Sequence, residues 1–479
     1  MERTSRENLH VVVFPWLAIG HLIPFFHLSK HLAQKGHKVY FISTPKNLTK
    51  IPKIPPHLSS LLNLVSFPLP QIPNLPLDAE SAADVPFRTQ ALLKRAFDSL
   101  EPALAAFLES STPDWVILDY ASHWLYRRAA ELGVSRAFLS LFNAAMLSFL
   151  GPPAGLIDGR DGGSSPEDFA AVPKWVPFET GVAYRVHEIA KNLDREIDLN
   201  NDSTTPDLVR FGLAADESDV VAVKSRPEFE PEWFGLLGEL YRRPVFPVGF
   251  LPPVVEDDGG GDDVEWVGIK DWLDEREEES VVYVALGTEA TLTRDELTEL
   301  ALGLERSELP FFWVIRNSPG SDQPESDKLP DGFVERVKDR GMVHFGWAPQ
   351  VRILSHDSVG GFLTHCGWNS VVEGLGLGRV LVLLPMVNDQ GINARLLSEK
   401  GVGLEIPRNE LDGSFGSDSV AESIRLAMVD ESGESLRVKV KNMRNLFGDK
   451  EGNDRYLNEF ISFLKESRMS FLKDNRTRT

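Results

Sequence analysis

Short runs of consecutive apolar residues, each leading into a helical pattern, constrain this chain more than any other feature. The run from Leu9 to Trp16 is apolar without alternation, the mark of a strand buried on both faces of a parallel sheet. From about Gly20 to Lys35, Ile23, Phe26, Leu28, His31 and Leu32 recur at helical spacing. Gly36 stops that helix and His37 to Thr44 reads as the next strand. Trp115 to Asp119 is another short buried strand, with a helical stretch after it to about Gly133. In the C-terminal half the pattern restarts, with strands at Val281–Leu286, Phe311–Ile315, Gly360–Thr364 and Val380–Leu384 and a helix over Arg294–Arg306. Such units build parallel sheets with helices on both faces, and ligands bind outside the carboxyl ends of the strands. No short-period repeat is present, so a solenoid is excluded.

Two or three domains are expected of 479 residues at roughly 100–200 residues each. The clearest boundary is residues 248–265, where Pro252-Pro253, Glu256-Asp257-Asp258, three consecutive glycines and Asp262-Asp263 have the composition of a solvated linker. The Pro-rich stretches Ile51–Pro76 and Gly151–Pro177 read as long irregular loops.

Acidic residues outnumber basic ones, 71 to 50, giving a net charge of −21. A chain this negative, with no compact basic patch, repels nucleic acid and anionic lipid surfaces, so neither is an expected partner. The single cysteine, Cys366, excludes an internal disulfide and a cysteine-based zinc cluster. No apolar run approaches the roughly 20 residues of a membrane-spanning helix. The first apolar stretch is interrupted by Pro15 and leads into Gly20-His21 rather than a cleavage site, so no signal peptide is expected and the cytoplasm is the expected location. Walker A, His-Glu-x-x-His, Gly-x-Ser-x-Gly and EF-hand signatures are absent, and the first strand–helix turn has one glycine where a dinucleotide site needs three.

The densest constellation runs from Trp347 to Gln390: Trp347-Ala348-Pro349-Gln350, then Thr364-His365-Cys366-Gly367-Trp368-Asn369-Ser370, Glu373, and Asp389-Gln390. Its middle is a strand feeding a loop that opens a helix at about Asn369. A helix N-terminus presents unpaired N–H groups and suits an anion, and His365, Asn369 and Ser370 add side-chain donors there. Trp347 offers a face for a base, Glu373 an acceptor for a ribose diol, and Asp389 and Gln390 groups for sugar hydroxyls. Each glycine, proline or tryptophan taken singly reads first as packing or capping.

This segment resembles the signature box of plant family-1 UDP-sugar glycosyltransferases, which begins with Trp-Ala-Pro-Gln, carries His-Cys-Gly-Trp-Asn-Ser and ends with Asp-Gln. The resemblance extends over nearly the whole chain, including the Gly20-His21 turn and the Asp119 region. It implies the GT-B architecture: an α/β fold of two Rossmann-like domains facing a cleft. The domains would be an acceptor-binding domain at 1–247, a linker at 248–265, a UDP-sugar-binding domain at 266–454, and a C-terminal helix at 455–479 returning to the first domain. It further implies that Trp347 stacks on uracil while the Ala348 backbone pairs with its edge, that Gln350 and Glu373 hold the ribose, and that His365, Asn369 and Ser370 hold the phosphates. Gly20 and Gly367 fall in the donor-binding set, Thr288 matches a family Ser/Thr that reaches the phosphates, and Trp368, Asp389 and Gln390 would contact the sugar. Val380, where the family usually has proline, departs from the box but sits in a strand.

His21 alone reads as a packing or capping residue. By resemblance it is the catalytic base, with Asp119 as the carboxylate that orients it. A sugar hydroxyl needs a base within hydrogen-bond reach, and a neutral imidazole at a helix N-terminus suits the task. The implied reaction is inverting transfer in one displacement from UDP-glucose, with UDP-rhamnose the competitor. No metal and no cofactor is expected beyond this co-substrate, and the expected state is a monomer. The Phe14–His21 turn is similar to that of the family-91 and family-94 enzymes that extend a sugar already carried by a flavonoid or terpenoid, so a glycoside is the expected acceptor. An aglycone hydroxyl is the alternative within the class. A UDP-sugar-binding protein without turnover, and an epimerase or hydrolase on the same plan, are the alternatives outside it. The remaining histidines, His344 among them, show no ligand spacing and read as surface or core.

Overall fold

In a computed structural model of the chain, the residues described are 8–86, 89–159, 166–190, 205–252, 264–287, 292–316 and 328–477. Val11, Val12 and Val13 are wholly buried, as a strand must be when helices cover both faces of its sheet. Seven strands lie parallel around them: β1 (His10–Phe14), β2 (Lys38–Ser43), β3 (Leu62–Ser66), β4 (Trp115–Leu118), β5 (Ser135–Ser140), β6 (Val220–Val223) and β7 (Val245–Pro247). Their order is β3-β2-β1-β4-β5-β6-β7, and Val12 faces Tyr40 on one side and Val116 on the other. The second sheet holds β8 (Val281–Ala285), β9 (Phe311–Ile315), β10 (Gly341–Phe345), β11 (Val359–Thr364), β12 (Val380–Leu383) and β13 (Gly403–Glu405). It too is parallel, in the order β10-β9-β8-β11-β12-β13. The expected fold class, two Rossmann-like α/β units, is what the chain forms.

Described residues within Met1–Gly163, Arg195–Leu251 and Lys450–Thr479 cluster as one compact unit, and those within Ser164–Asp194 and Pro252–Asp449 as another. Where the sequence reading runs the first domain unbroken to 247, contacts assign residues 166–190 to the second unit. There Thr180 Oγ1 and the Gly181 N–H donate to Glu399 at 2.8 and 2.7 Å, and Glu188 pairs with Arg395.

The last helix, Lys450–Thr477, starts before the expected Arg455. Leu457, Phe460, Ile461 and Leu464 enter the first unit's core beside Val13, Phe25 and Trp115, whose indole N–H donates to the Leu464 carbonyl at 3.0 Å. Burying a side chain such as Phe460 contributes about 1.5–3 kcal/mol. Asn453 Oδ1 accepts the Phe250 N–H at 2.8 Å. Gly249, at φ +74°, has no room for a Cβ, which would stand 2.6 Å from that oxygen.

Two expectations fail locally. Gly151–Pro177, read as irregular, contains the helices Pro153–Asp158 and Pro166–Phe169. The stretch Ile51–Pro76, also read as irregular, contains β3, in which Leu62 is buried and alternate residues are exposed. A strand at a sheet edge has a neighbour on one side only, and this one, with Leu64 exposed, carries no buried apolar run.

Candidate active site

Strand order decides where ligands can bind. In the first sheet the connections diverge between β1 and β4, and the crevice at such a switch point opens at the strands' carboxyl ends. β1 runs through Pro15–Ala18 into the helix Ile19–Gln34, which puts Gly20 and His21 in its first turn. β4 ends at Leu118, so Asp119 leaves the sheet at the same crevice. Two residues 98 positions apart thereby meet: His21 Nδ1 lies 2.6 Å from Asp119 Oδ2.

Asp119 is 2% exposed and its carboxylate is fully used. Oδ2 also accepts the Trp16 N–H at 3.1 Å, and Oδ1 accepts the Tyr120 N–H at 2.7 Å. A carboxylate that receives these donors holds a hydrogen on Nδ1 of the imidazole and leaves Nε2 with its lone pair. His21, with 17% of its side chain exposed, can offer that lone pair to a substrate. The turn behind Asp119 is braced. Ser122 Oγ donates to the Asp119 carbonyl at 3.0 Å, and Tyr126 OH to the Leu118 carbonyl at 3.1 Å. The buried Arg210 donates to both oxygens of Asp98 (2.8 and 2.5 Å) and to the Ala121 carbonyl (2.8 Å). Around the imidazole stand Tyr120 and Phe142, with centroids at 6.3 and 6.1 Å, and Phe211 stacks on Tyr120 at 4.1 Å. The surroundings of the imidazole are therefore aromatic.

The second sheet repeats the device with its switch point between β8 and β11. β11 ends at Thr364, and His365-Cys366-Gly367 turn into the helix Trp368–Gly376, whose N-cap Gly367 has no side chain to cap it. The turn is tight: Cys366 sits at φ +69°, in the left-handed region. His365 packs between two glycines. A Cβ at Gly287, after β8, or at Gly367 would lie 2.6 Å from its Nε2. Burial, and next the charge of Arg316, push the His365 pKa down to about 4, so the ring is neutral.

At the base of the helix Gln350 gathers its neighbours. Its amide donates to Glu373 Oε2 at 2.6 Å and Ser370 Oγ at 3.2 Å, and Tyr283 OH donates to its Oε1 at 3.4 Å. Trp347 is 60% exposed, its ring facing solvent as a platform can. The Ala348 carbonyl accepts the Gln350 N–H at 2.9 Å. At the end of β12, Gln390 Oε1 accepts the Met386 and Val387 N–H groups, both at 2.9 Å, and Asp389 precedes the helix Gln390–Glu399. Trp368 behaves otherwise: its indole is buried beside Phe447 at 6.3 Å, in this unit's core. Asn369 follows it in the helix's first turn. Val380 opens β12, as read. Thr288 lies outside the described residues.

Four residues of this site escaped sequence reasoning. Tyr283 comes from β8 and reaches Gln350. His344, set aside as uninformative, donates from Nε2 to the Trp347 carbonyl at 2.9 Å and so fixes the platform's loop. Asn393 donates to the Cys366 carbonyl at 2.9 Å and to Asp389 Oδ2 at 2.7 Å, tying the helix-entry turn to the Asp389 carboxylate. Arg316 ends β9 and lays its guanidinium over Trp347, 4.5 Å from the ring centroid. A lone cation directly after a five-residue buried strand was the available signal. Among the described residues no group of three or more His, Cys, Asp or Glu could hold a metal ion. No helix there is long and apolar enough to cross a membrane.

Residues 249–432 match the family model described as UDP-glucoronosyl and UDP-glucosyl transferase. UDP-glycosyltransferase 91C1 of Arabidopsis thaliana is 59% identical over 460 residues, covering 96% of this chain and 97% of the relative. Beta-D-glucosyl crocetin beta-1,6-glucosyltransferase of Gardenia jasminoides is 34% identical over 435 residues, 90% of this chain and 93% of the relative. Among solved structures, Arabidopsis thaliana UGT89C1 complexed with UDP-L-rhamnose superposes with a TM-score of 0.72 at 25% identity, covering 96% of this chain and 100% of that one.

Proposed function

The chain belongs to the plant family-1 UDP-glycosyltransferases, in their family-91 branch, and from that premise we propose that it transfers glucose from UDP-glucose to a sugar hydroxyl of a small-molecule glycoside. The observation that carries the catalytic part is the 2.6 Å contact between His21 and Asp119. His21 Nε2 takes the acceptor's hydroxyl proton as that oxygen attacks the anomeric carbon. The bond from that carbon to the diphosphate oxygen breaks, the configuration inverts, and UDP departs. Asp119 stabilises the imidazolium that forms, as in triad chemistry without the covalent step.

The second unit would hold the donor: Trp347 the base, Gln350 and Glu373 the ribose, and the turn at His365 with Asn369 and Ser370 the diphosphate. With its Oε1 committed to backbone N–H groups, Gln390 presents an amide donor beside the Asp389 carboxylate. A donor next to an acceptor suits neighbouring hydroxyls of a hexose. The glycoside acceptor draws support from the relative whose name gives both a glucosyl acceptor and a glucosyl donor. We place the reaction in the cytoplasm, in a monomer, without a metal ion.

Purified protein is to be incubated with UDP-glucose or UDP-rhamnose and with flavonoid and terpenoid monoglucosides beside their aglycones, and products read by mass spectrometry. Added hexose on the monoglucosides is the expected result. Products from aglycones only would overturn the acceptor class, and products from UDP-rhamnose only would overturn the donor. UDP released without acceptor would point to a hydrolase, and no UDP released at all to a binding protein.

A further inference from the structure

The order β10-β9-β8-β11 places four chain segments side by side at one edge of the second sheet. Beyond β10 stands Trp347, beyond β9 Arg316, beyond β8 Gly287, and beyond β11 His365 and Gly367. Neighbouring strands are about 5 Å apart, so a molecule laid from the Trp347 platform to the helix-entry turn passes the end of β9 on its way. Arg316 occupies that end.

Its surroundings are unusual for an arginine. The guanidinium lies 4.5 Å from the centroid of Trp347, and burial holds its pKa below the ordinary arginine value. Among the described residues no carboxylate pairs with it. Two other buried guanidinium groups of the same unit have partners: Arg395 pairs with Glu188 and Glu405, and Arg379 donates to the Leu354, Val359 and His356 carbonyls. A partly buried cation without a counter-charge is costly, and an anionic ligand that arrives there removes the cost. Arginine also matches phosphate oxygens with a planar fork of donors.

We propose that Arg316 is the cation of the donor site, pairing with the diphosphate of a nucleoside diphosphate whose base lies on Trp347. This rests on the reading of residues 347–390 as the donor site and adds to it a residue outside that segment. The cation–π contact holds the guanidinium over the indole and keeps it beside the ligand's path. It supplies the positive charge that the helix-entry turn, with its neutral His365, lacks.

Uridine, UMP and UDP separate this role from a purely structural one, because they share a base and differ in charge. Calorimetric titration of wild-type protein, Arg316→Gln and Arg316→Lys gives three dissociation constants each. A charge-assisted hydrogen bond of about 1.5–3 kcal/mol predicts that Arg316→Gln weakens UDP about 10- to 100-fold and uridine no more than about threefold. Arg316→Lys, which keeps the charge, should recover most of the UDP-to-uridine ratio. An equal loss for uridine and UDP in Arg316→Gln would reduce Arg316 to a support for Trp347, and an unchanged UDP constant would remove it from the site; either overturns the proposal. Should Arg316→Gln not fold, judged by its melting curve, Arg316→Met is titrated in its place against the same criteria. Wild-type protein that binds neither UDP nor uridine would sink the donor-site reading itself, a different failure from a wild-type site that binds both.

Discussion

Replacing Asp119 by asparagine tests the catalytic pair at the point where the structure is most explicit. The side chain is isosteric, so packing is kept, but an amide has one acceptor oxygen where the carboxylate had two. If that oxygen stays toward Tyr120, the NH2 group confronts the Trp16 N–H and His21 Nδ1; if it turns toward Trp16 and His21, the NH2 group confronts the Tyr120 N–H. Either way one buried backbone N–H goes unpaired, a stability loss of about 1–3 kcal/mol. The catalytic loss has a separate origin. In the transition state His21 becomes a cation against Asp119, with charge centres about 4 Å apart; at an effective dielectric constant of about 20 their attraction is about 4 kcal/mol. Removing it should lower kcat about 10³-fold. The residues proposed to hold the donor belong to the other unit, so UDP affinity should hold within about twofold. Initial rates over a UDP-glucose series, calorimetric titration with UDP and a thermal melt give the three quantities. A kcat within tenfold of wild type, or a UDP constant that falls as far as kcat, would refute the assignment. Because the pair acts as a unit, Asp119→Asn added to His21→Ala should cost little more than His21→Ala alone.

Trp347→Ala removes the exposed platform and should weaken uridine by about 1–3 kcal/mol and UDP by at least as much, since Arg316 loses its support too, as titration would show; uridine bound at wild-type strength would contradict stacking. Gly287→Ala would set a Cβ against the His365 ring at a φ of +76°, so donor KM should rise steeply, while UDP binding at wild-type strength would show that the ring moves aside. His37 and His365 are held at about 4 against an ordinary 6.5, each first by burial and then by a cation, Lys465 and Arg316 respectively. For His37 the structural cause is plain, because its Nδ1 accepts the Leu9 N–H at 3.1 Å and cannot also carry a proton. With folded values below unfolded ones, this stability is complete above about pH 6.5 and is lost as pH falls toward 4. The melting midpoint should therefore drop between pH 7 and 5, and drop less in His37→Gln. Cys366, fully buried with a thiol pushed well above its ordinary pKa by burial, should resist iodoacetamide in the native protein and react only after unfolding, read by mass; native alkylation would contradict its burial.

What the sequence made legible was the interior of each sheet. Val11–Phe14, Trp115–Leu118, Phe311–Ile315 and Val380–Leu383 are apolar throughout because both faces are covered. All four edge strands, β3, β7, β10 and β13, were missed, and physics explains why. Each has a single neighbour and a mixed burial pattern, as in Leu62–Ser66 and Gly341–Phe345, so neither a continuous apolar run nor a long alternation survives. Two interior strands escaped as well: β5 begins on Ser135-Arg136, with Arg136 paired to Asp219, and β6 is a buried run of only four residues. The 347–390 segment was legible because its residues are near neighbours in sequence. His21 and Asp119 were legible only through a family likeness, since nothing local says that residues 98 apart will touch. Arg316, Tyr283 and Asn393 reach the donor segment through strand order or helix packing, which single-chain patterns do not encode.

The strand order also resolves an electrostatic puzzle posed by the composition. A chain of net charge −21 is a poor host for a doubly charged leaving group if net charge governs binding. It does not, because at physiological salt exposed charges are screened beyond about 8 Å, and a site responds to the groups within that radius. The turn at His365, the first turn of the helix Trp368–Gly376 and the end of β9 lie along the same edge of the sheet, and the Arg316 charge acts on His365 there. Oriented N–H groups act at short range and need no reorganisation when charge develops, so their worth is greatest in the transition state. A lysine-rich pocket would attract the same anion from afar but would hold the product as firmly as the transition state. The proposed donor set, neutral groups with Arg316 as its guanidinium, would therefore favour turnover, since UDP must leave after every transfer.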